Sequence, residues 1–151
     1  GARPTADSNV VSPTVRCRET AEELGLNATA SPELSGLDVG RWRGRTLDEV
    51  GAARPEEVAR WLADPLAAPH GGESVHQLCR RASNWLDEAS QFSGRTVAVV
   101  EPEIVRAVTV SVLGAPESAF WRLDVPPLSA TEFSGRAGRW NVTLGSTLGA
   151  A

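Results

Sequence analysis

The sequence has no lysine, tyrosine or methionine, only two cysteines, and no long apolar run. No hydrophobic stretch approaches the roughly 18 residues that a membrane-spanning helix needs, so we expect no membrane association. The net charge of −4 gives no electrostatic reason to bind nucleic acid. All fifteen cationic residues are arginine. A GC-rich genome would produce that bias, and we assign it no function.

Several chemical signatures are also missing from the sequence. It contains no recognisable Ser–His–Asp set, no Gly-rich phosphate fingerprint and no metal-ligand spacing, so we expect no metal and no cofactor. Cys17 and Cys79 each fall on the apolar face of a predicted helix. We therefore expect two buried thiols rather than a disulfide or a metal site, in a cytoplasmic protein. A targeting segment upstream of Gly1 would not be visible.

What the sequence does contain is typical of one globular domain. Its 151 residues are 41% hydrophobic and 23% charged, which suffices for a single core. Strand-like segments alternate with amphipathic helices, and a hairpin closes the chain. This order predicts an α/β fold, a three-layer sandwich with a mostly parallel sheet.

The predicted elements follow from periodicity, capping residues and turn residues. A strand ends at 9–12, and a helix with Ser12 as N-cap and Pro13 at its first position runs to Gly25. The clearest apolar stripe belongs to a helix that Ser74 caps. The remaining predictions are an extended segment at 28–34, helices at 47–50 and 55–62, a strand at 96–100, a helix from about 103, strands at 129–135 and 139–146, and a frayed tail at 145–151.

The segment "SPTVRCRETA" carries the first candidate binding residues. It leads from a strand into a helix start, where free backbone N–H groups and the helix dipole favour an anion. Ser12 and Arg16 are the candidate phosphate-binding residues, because a guanidinium can grip a phosphate with two hydrogen bonds. The alternative is an ordinary capped surface helix with a solvated Arg16.

The two histidines are weaker candidates. His70 lies in the glycine-rich loop "PHGGES", and loops often carry binding sites, so it is a possible substrate-loop residue. A solvated loop histidine is the alternative. His76 lies near the polar side of the following helix, and we expect it at the surface.

A third candidate site follows the predicted strand at 96–100. There Glu101, Pro102 and Glu103 occupy the carboxyl end of a strand, which is the usual ligand-binding edge of an open α/β sheet. The alternative is that the Glu101 side chain simply points into solvent, as most carboxylates at strand ends do.

Taken in order, the motifs resemble the histidine phosphatase superfamily, the phosphoglycerate-mutase-like family, over about residues 9–144. "SPTVRCRETA" is similar to the family's "SPLxRAxQTA", "GRWRG" to "GxWEG", and "PHGGES" to "PPGGES". "VVEPEIVRAV" resembles an altered "VVTHGGVIRAL". The resemblance implies an ancestry of phosphoryl transfer through a phosphohistidine. The family uses an "RHG" His and Arg, a second Arg, an acid and a second His.

Only part of that set is present in this sequence. The resemblance places Arg16 at the second arginine, Gly36 at the acid and Glu101 at the second histidine, and Asp38 is a possible substitute acid two residues out of register. No "RHG" occurs in the 151 residues, because the chain begins just before the family's second strand. The resemblance therefore implies a single, N-terminally incomplete domain, with an interior strand missing beside residues 96–100, that would not fold alone.

Three functions remain open at this point. The first is a catalytically degenerate phosphatase-like domain that keeps an anion-binding helix start, for a small phosphorylated molecule or another anion. An ionised Glu101 would repel a phosphate there, and it could instead bond to Arg16 and occupy the anion position itself. The second is a divergent active phosphatase with a nucleophilic histidine upstream, and Asp38 or Glu101 as the acid. The third is a structural or dimerising module that makes contacts through the C-terminal hairpin or exposed tryptophans, which would give a homodimer.

Overall fold

Strands and helices alternate along the chain as predicted. The structure, a computed structural model, describes residues 7–91, 94–136 and 138–147. The strands are β1 (Ser8–Val11), β2 (Thr29–Ala30), β3 (Thr96–Val99), β4 (Ser129–Arg136) and β5 (Arg139–Thr147). The α-helices are α1 (Val15–Glu23), α2 (Leu47–Ala53), α3 (Pro55–Ala63), α4 (Val75–Ala89) and α5 (Pro102–Leu113). Three 3-10 turns cover Pro32–Leu34, Gly40–Trp42 and Glu117–Arg122.

The main sheet has three parallel strands in the order β2-β1-β3. Because successive side chains of a strand point to opposite faces, the sheet supplies two cores. Val10 and Ala98 pack into the larger core with α4 and α5. Val11, Val97 and Val99 pack with α1 on the other face. Helices thus cover both faces, and the predicted α/β architecture is confirmed.

The hairpin of β4 and β5 is antiparallel and separate from the main sheet. Both strands were predicted, but β5 runs to Thr147, so the predicted frayed tail is wrong for residues 145–147. Residues 148–151 lie outside the described part. Within the described part, β3 pairs only with β1, and an ion pair between Arg95 and Glu132 connects the start of β3 to the hairpin.

Two predicted boundaries are wrong for physical reasons that the structure shows. Thr14, not Ser12, caps α1: its hydroxyl accepts the Cys17 N–H at 3.3 Å. Ser12 stays at the strand end because its N–H donates to the Val99 carbonyl oxygen at 2.9 Å. In the segment predicted as extended at 28–34, only β2 is a strand, because a 3-10 turn begins at Pro32.

The other predicted helices are present, although α2 extends to Ala53, beyond the predicted end at residue 50. Ser74 caps α4 with a capping box completed by Gln77, and α3 starts at Pro55. The buried face of α4 consists of Val75, Leu78, Cys79, Ala82 and Leu86, all in the predicted stripe.

Both cysteines are free and buried, as predicted. Burial raises the pKa of Cys79 to about 12. Of the five tryptophans, Trp42 and Trp61 are buried and the other three are half-buried. Among the helices of the described ranges, none has the length and apolar content to cross a membrane.

Candidate functional site

The start of α1 and the end of β3 lie side by side, because β1 and β3 are paired and both lead directly into helices. Thr14 and Arg16 come from the start of α1, and Glu101 is the residue that precedes α5. Ser12 is fully buried at the same edge, and no partner of its hydroxyl lies in the described ranges. The fold therefore brings together the two sequence segments that were predicted separately as binding sites.

The Glu101 carboxylate is buried and is bound by both residues of α1. Only 7% of Glu101 is exposed, so it does not point into solvent. Oε1 accepts a hydrogen bond from the Thr14 hydroxyl at 2.9 Å, and Oε2 pairs with the guanidinium of Arg16. Burial by itself would raise the pKa of Glu101, but the bonds from Arg16 and Thr14 outweigh it and hold that pKa below its usual value. The carboxylate is therefore ionised at neutral pH.

Arg16 itself lies mostly at the surface. Its side chain is 76% exposed, and its guanidinium reaches inward to Glu101. The hydrogen bond and the charge of Glu101 raise the pKa of Arg16. The candidate phosphate-binding arginine is thus already neutralised by an internal carboxylate.

Gly36 lies directly beside Glu101, at the position where the resemblance placed the acid. A Cβ atom added to Gly36 would lie 3.5 Å from Glu103 Oε2 and 3.7 Å from Glu101 Cγ. Glu103 Oε2 also accepts the Leu37 N–H at 3.3 Å. Although position 36 has no side chain, the carboxylate of Glu103 approaches the same space from α5.

Asp38 is turned away from this arrangement toward its own loop. Its Oδ1 accepts the Gly40 N–H at 2.9 Å and an Arg43 N–H at 2.8 Å. Both hydrogen bonds lower the pKa of Asp38, and the bond from the Gly40 N–H has the greater effect. A carboxyl group with a lowered pKa is almost entirely deprotonated near neutral pH, so Asp38 is poorly suited to act as a general acid.

Two segments, 36–44 and 69–74, pack backbone against backbone; we call them the loop pair. The Arg41 N–H donates to the His70 carbonyl oxygen at 2.9 Å, and the Glu73 N–H donates to the Asp38 carbonyl oxygen at 2.7 Å. The two segments come closest at Gly40 and Gly72. A side chain at either glycine would collide with the backbone of the opposite segment. Packing thus explains the first glycine of "GRWRG" and the second glycine of "PHGGES".

His70 is fully buried rather than solvated. Its ring makes edge-on contacts with Trp42 and Trp61, at centroid distances of 5.0 Å and 4.5 Å. The loop position was predicted, but the side chain is not accessible to a substrate at the surface. His76, predicted at the surface, is half-buried and bonds to Glu117 at 2.7 Å.

Sequence reasoning missed Thr14 and the anchor formed by Arg81, and it named Glu103 without its approach to Gly36. Arg81 binds both oxygens of Glu73, at 2.9 Å and 2.8 Å, and donates to the carbonyl oxygens of Glu33 and Ser35 at 2.8 Å each. It thereby fixes the segment that holds Gly36. The only sequence signal for this anchor is Glu73 in the motif "GGES", and the motif does not indicate that Arg81 binds it.

Residues 2–146 match the family described as Histidine phosphatase superfamily (branch 1), and the chain belongs to it. The resemblance seen in the motifs is thereby confirmed.

Two curated relatives are about one third identical to this chain. Phosphoserine phosphatase 1 of Hydrogenobacter thermophilus is 31% identical over 106 residues, which cover 68% of this chain and 50% of that protein. Glucosyl-3-phosphoglycerate phosphatase of Mycolicibacterium vanbaalenii is 31% identical over 116 residues, covering 67% of this chain and 51% of that protein. The chain therefore spans about half the length of these relatives.

A solved structure agrees on the fold. The native structure of a mycobacterial glucosyl-3-phosphoglycerate phosphatase has a TM-score of 0.78 and 24% identity, and the match covers 93% of this chain and 77% of that chain. At this identity the likeness establishes the fold alone.

Proposed function

We propose that this chain is a histidine-phosphatase-like domain that does not transfer phosphoryl groups, because its own carboxylate occupies the anion position. The observation that supports this is the pairing of buried Glu101 with Arg16 and Thr14 at the start of α1. A small phosphorylated molecule would bind there only by displacing Glu101. The domain would then serve in ligand sensing or protein interaction rather than catalysis.

Electrostatics explain why Glu101 opposes the ancestral reaction. A transferring phosphoryl group carries negative charge on its equatorial oxygens, and catalysis depends on cations and donors aimed at that charge. A carboxylate in place of an imidazolium reverses the sign of the local charge. At about 4 Å and an effective dielectric constant of about 20, a unit charge pair interacts by about 4 kcal/mol, here as repulsion. Solvent at the exposed side chain of Arg16 screens this repulsion between Glu101 and the phosphoryl group and reduces the figure.

The first test is turnover. We expect the complete natural polypeptide that contains these residues to release no phosphate from an aryl phosphate above background, measured by continuous absorbance of the phenolate. Arg16→Ala should leave that background unchanged. Phosphate release at ordinary enzyme rates that disappears in Arg16→Ala would overturn the proposal.

The second test is phosphate binding. Glu101→Gln keeps the size of the side chain and removes its charge, so Arg16 and the first-turn N–H groups of α1 become available to an anion. We expect inorganic phosphate to bind the variant at least tenfold more tightly than the wild type, since tenfold corresponds to only about 1.4 kcal/mol. Isothermal titration at low salt measures both dissociation constants.

Glu103→Gln is the matched control for phosphate binding. It makes the same chemical change two residues further along, at a carboxylate that is hydrogen-bonded to Leu37 rather than to Arg16. We expect a smaller gain than in Glu101→Gln. Adding Arg16→Gln to Glu101→Gln should remove the gain. Equal affinities in the wild type and Glu101→Gln would count against the self-filled pocket.

A divergent active phosphatase is the second candidate, and the position of Glu103 is the observation that favours it. Its carboxylate lies beside Gly36, where the family's acid would project, and could protonate a leaving oxygen. Two curated relatives are named as phosphatases. In the turnover assay this candidate predicts phosphate release that both Arg16→Ala and Glu103→Gln abolish.

A further inference from the structure

His70 is held in an environment that suits only its neutral form. It is fully buried, and its ring lies edge-on to the indoles of Trp42 and Trp61. Its Nδ1 accepts the Gly72 N–H at 2.9 Å, so the neutral ring carries its hydrogen on Nε2. Nε2 is buried, and the described ranges contain no hydrogen-bond partner for it.

The same histidine stands at the centre of the loop pair. Its carbonyl oxygen accepts the Arg41 N–H from segment 36–44, while its ring fixes Gly72 within segment 69–74. Gly72 in turn lies against the Asp38 backbone. Side chain and main chain of one residue therefore hold both segments in register.

We propose that His70 is a proton-sensitive latch of the loop pair. Protonation places a hydrogen on Nδ1, where the Gly72 N–H already points, so this hydrogen bond is replaced by a contact between two donors. The added charge is also buried between two indoles, without an acceptor for Nε2–H in the described ranges. Segments 36–44 and 69–74 then separate before the rest of the domain unfolds. This inference does not depend on the proposed function.

The direction of the pH dependence follows from the groups around the ring. Burial lowers the pKa of His70, the nearby carboxylate of Asp38 opposes that shift, and the charge of Arg41 adds to it. The opened loop pair, in which His70 has its ordinary pKa of about 6.5, binds more protons than the closed one. The closed state is therefore fully stable above about pH 6.5 and loses stability as the pH falls toward the lowered pKa. Over that window, one proton shifts the opening equilibrium by up to about tenfold per pH unit.

Amide hydrogen exchange of the complete natural polypeptide between pH 7.5 and 5.0 tests the latch. After correction for intrinsic exchange, we expect the protection of the Gly72, Glu73 and Arg41 amides to fall below about pH 6.5. The amide of Val110, in the buried centre of α5, should stay protected over the same range. Constant protection of the loop-pair amides would overturn the proposal, as would a parallel loss at Val110.

His70→Asn provides the matched variant, because an Asn side-chain oxygen can accept the Gly72 N–H without titrating. We expect its loop-pair protection to be independent of pH, and an unchanged pH dependence would refute the latch. His76→Asn is the control and should keep the wild-type dependence. If His70→Asn does not fold, the NMR chemical shifts of the wild-type His70 ring, followed against pH, test the proposal instead. Titration at pH 6.5 or above, without change at Gly72, would refute the proposal.

Discussion

Gly72→Ala is expected to destabilise the protein by about 3 kcal/mol, at the upper end of the cost of overpacking. A Cβ atom at Gly72 would collide with the carbonyl oxygen of Asp38 and lie 2.8 Å from the Gly40 nitrogen. Both obstacles are backbone atoms, which cannot rotate away as a side chain can. The methyl group would therefore push the loop pair apart and break the hydrogen bond from Glu73 to Asp38. Urea denaturation of the natural polypeptide, followed by tryptophan fluorescence, measures the free energy of unfolding.

Gly51→Ala is the matched control for this substitution. Gly51 lies within α2, and a Cβ atom there would meet nothing within 4 Å. Alanine restricts the unfolded chain and favours the helix, so we expect a gain of about 0.5–1 kcal/mol. The same chemical change should thus have opposite signs at the two sites. A Gly72→Ala protein as stable as the wild type would show that the two segments are not packed as described.

Phe120→Ala is expected to have an effect of similar or larger size, about 3–5 kcal/mol. Phe120 is fully buried in the larger core, with its ring edge-on to Trp121 at 4.9 Å and the Arg106 guanidinium 6.0 Å from its centroid. Its removal leaves a cavity and takes the packing partner from both neighbours. Because domains are stable by only about 5–15 kcal/mol, this loss is a large share of the total.

Leu66→Ala serves as the control for Phe120→Ala. Leu66 is 70% exposed, so truncation removes little buried surface, and a change within about 0.5 kcal/mol is expected. Thermal unfolding monitored by circular dichroism compares the variants with the wild type. Equal losses for Phe120→Ala and Leu66→Ala would contradict the placement of Phe120 in the core.

Sequence motifs identified the two main residues of the candidate site. The motif "SPTVRCRETA" identified Arg16, and the altered "VVTHGGVIRAL" pattern identified Glu101. The reversed charge at position 101 allowed a pairing of Glu101 with Arg16, but no pattern gave the burial of Glu101 or decided between that pairing and exposure to solvent. That depends on the parallel pairing of β1 with β3, which joins residues 85 positions apart in the chain.

His70 illustrates the opposite case, in which a local pattern misleads, and Glu103 illustrates one in which the pattern is incomplete. A histidine between a proline and two glycines indicates an exposed loop, yet the packing of Trp42 and Trp61 encloses its ring. Glu103 was named at the end of the predicted strand, and it is the second residue of α5. Its relation to Gly36 exists only because α5 and the segment at 36–37 come together.

The sequence by itself determined the periodicity of the helices, the two strands of the hairpin and the family, because these depend on residues close together in the chain or on fixed motif order. Tertiary structure alone decided which residue caps α1, which histidine is buried and which charges neutralise one another. Those outcomes are set by burial and hydrogen bonding between distant segments, and the free energy of such contacts is defined only once the strands have paired.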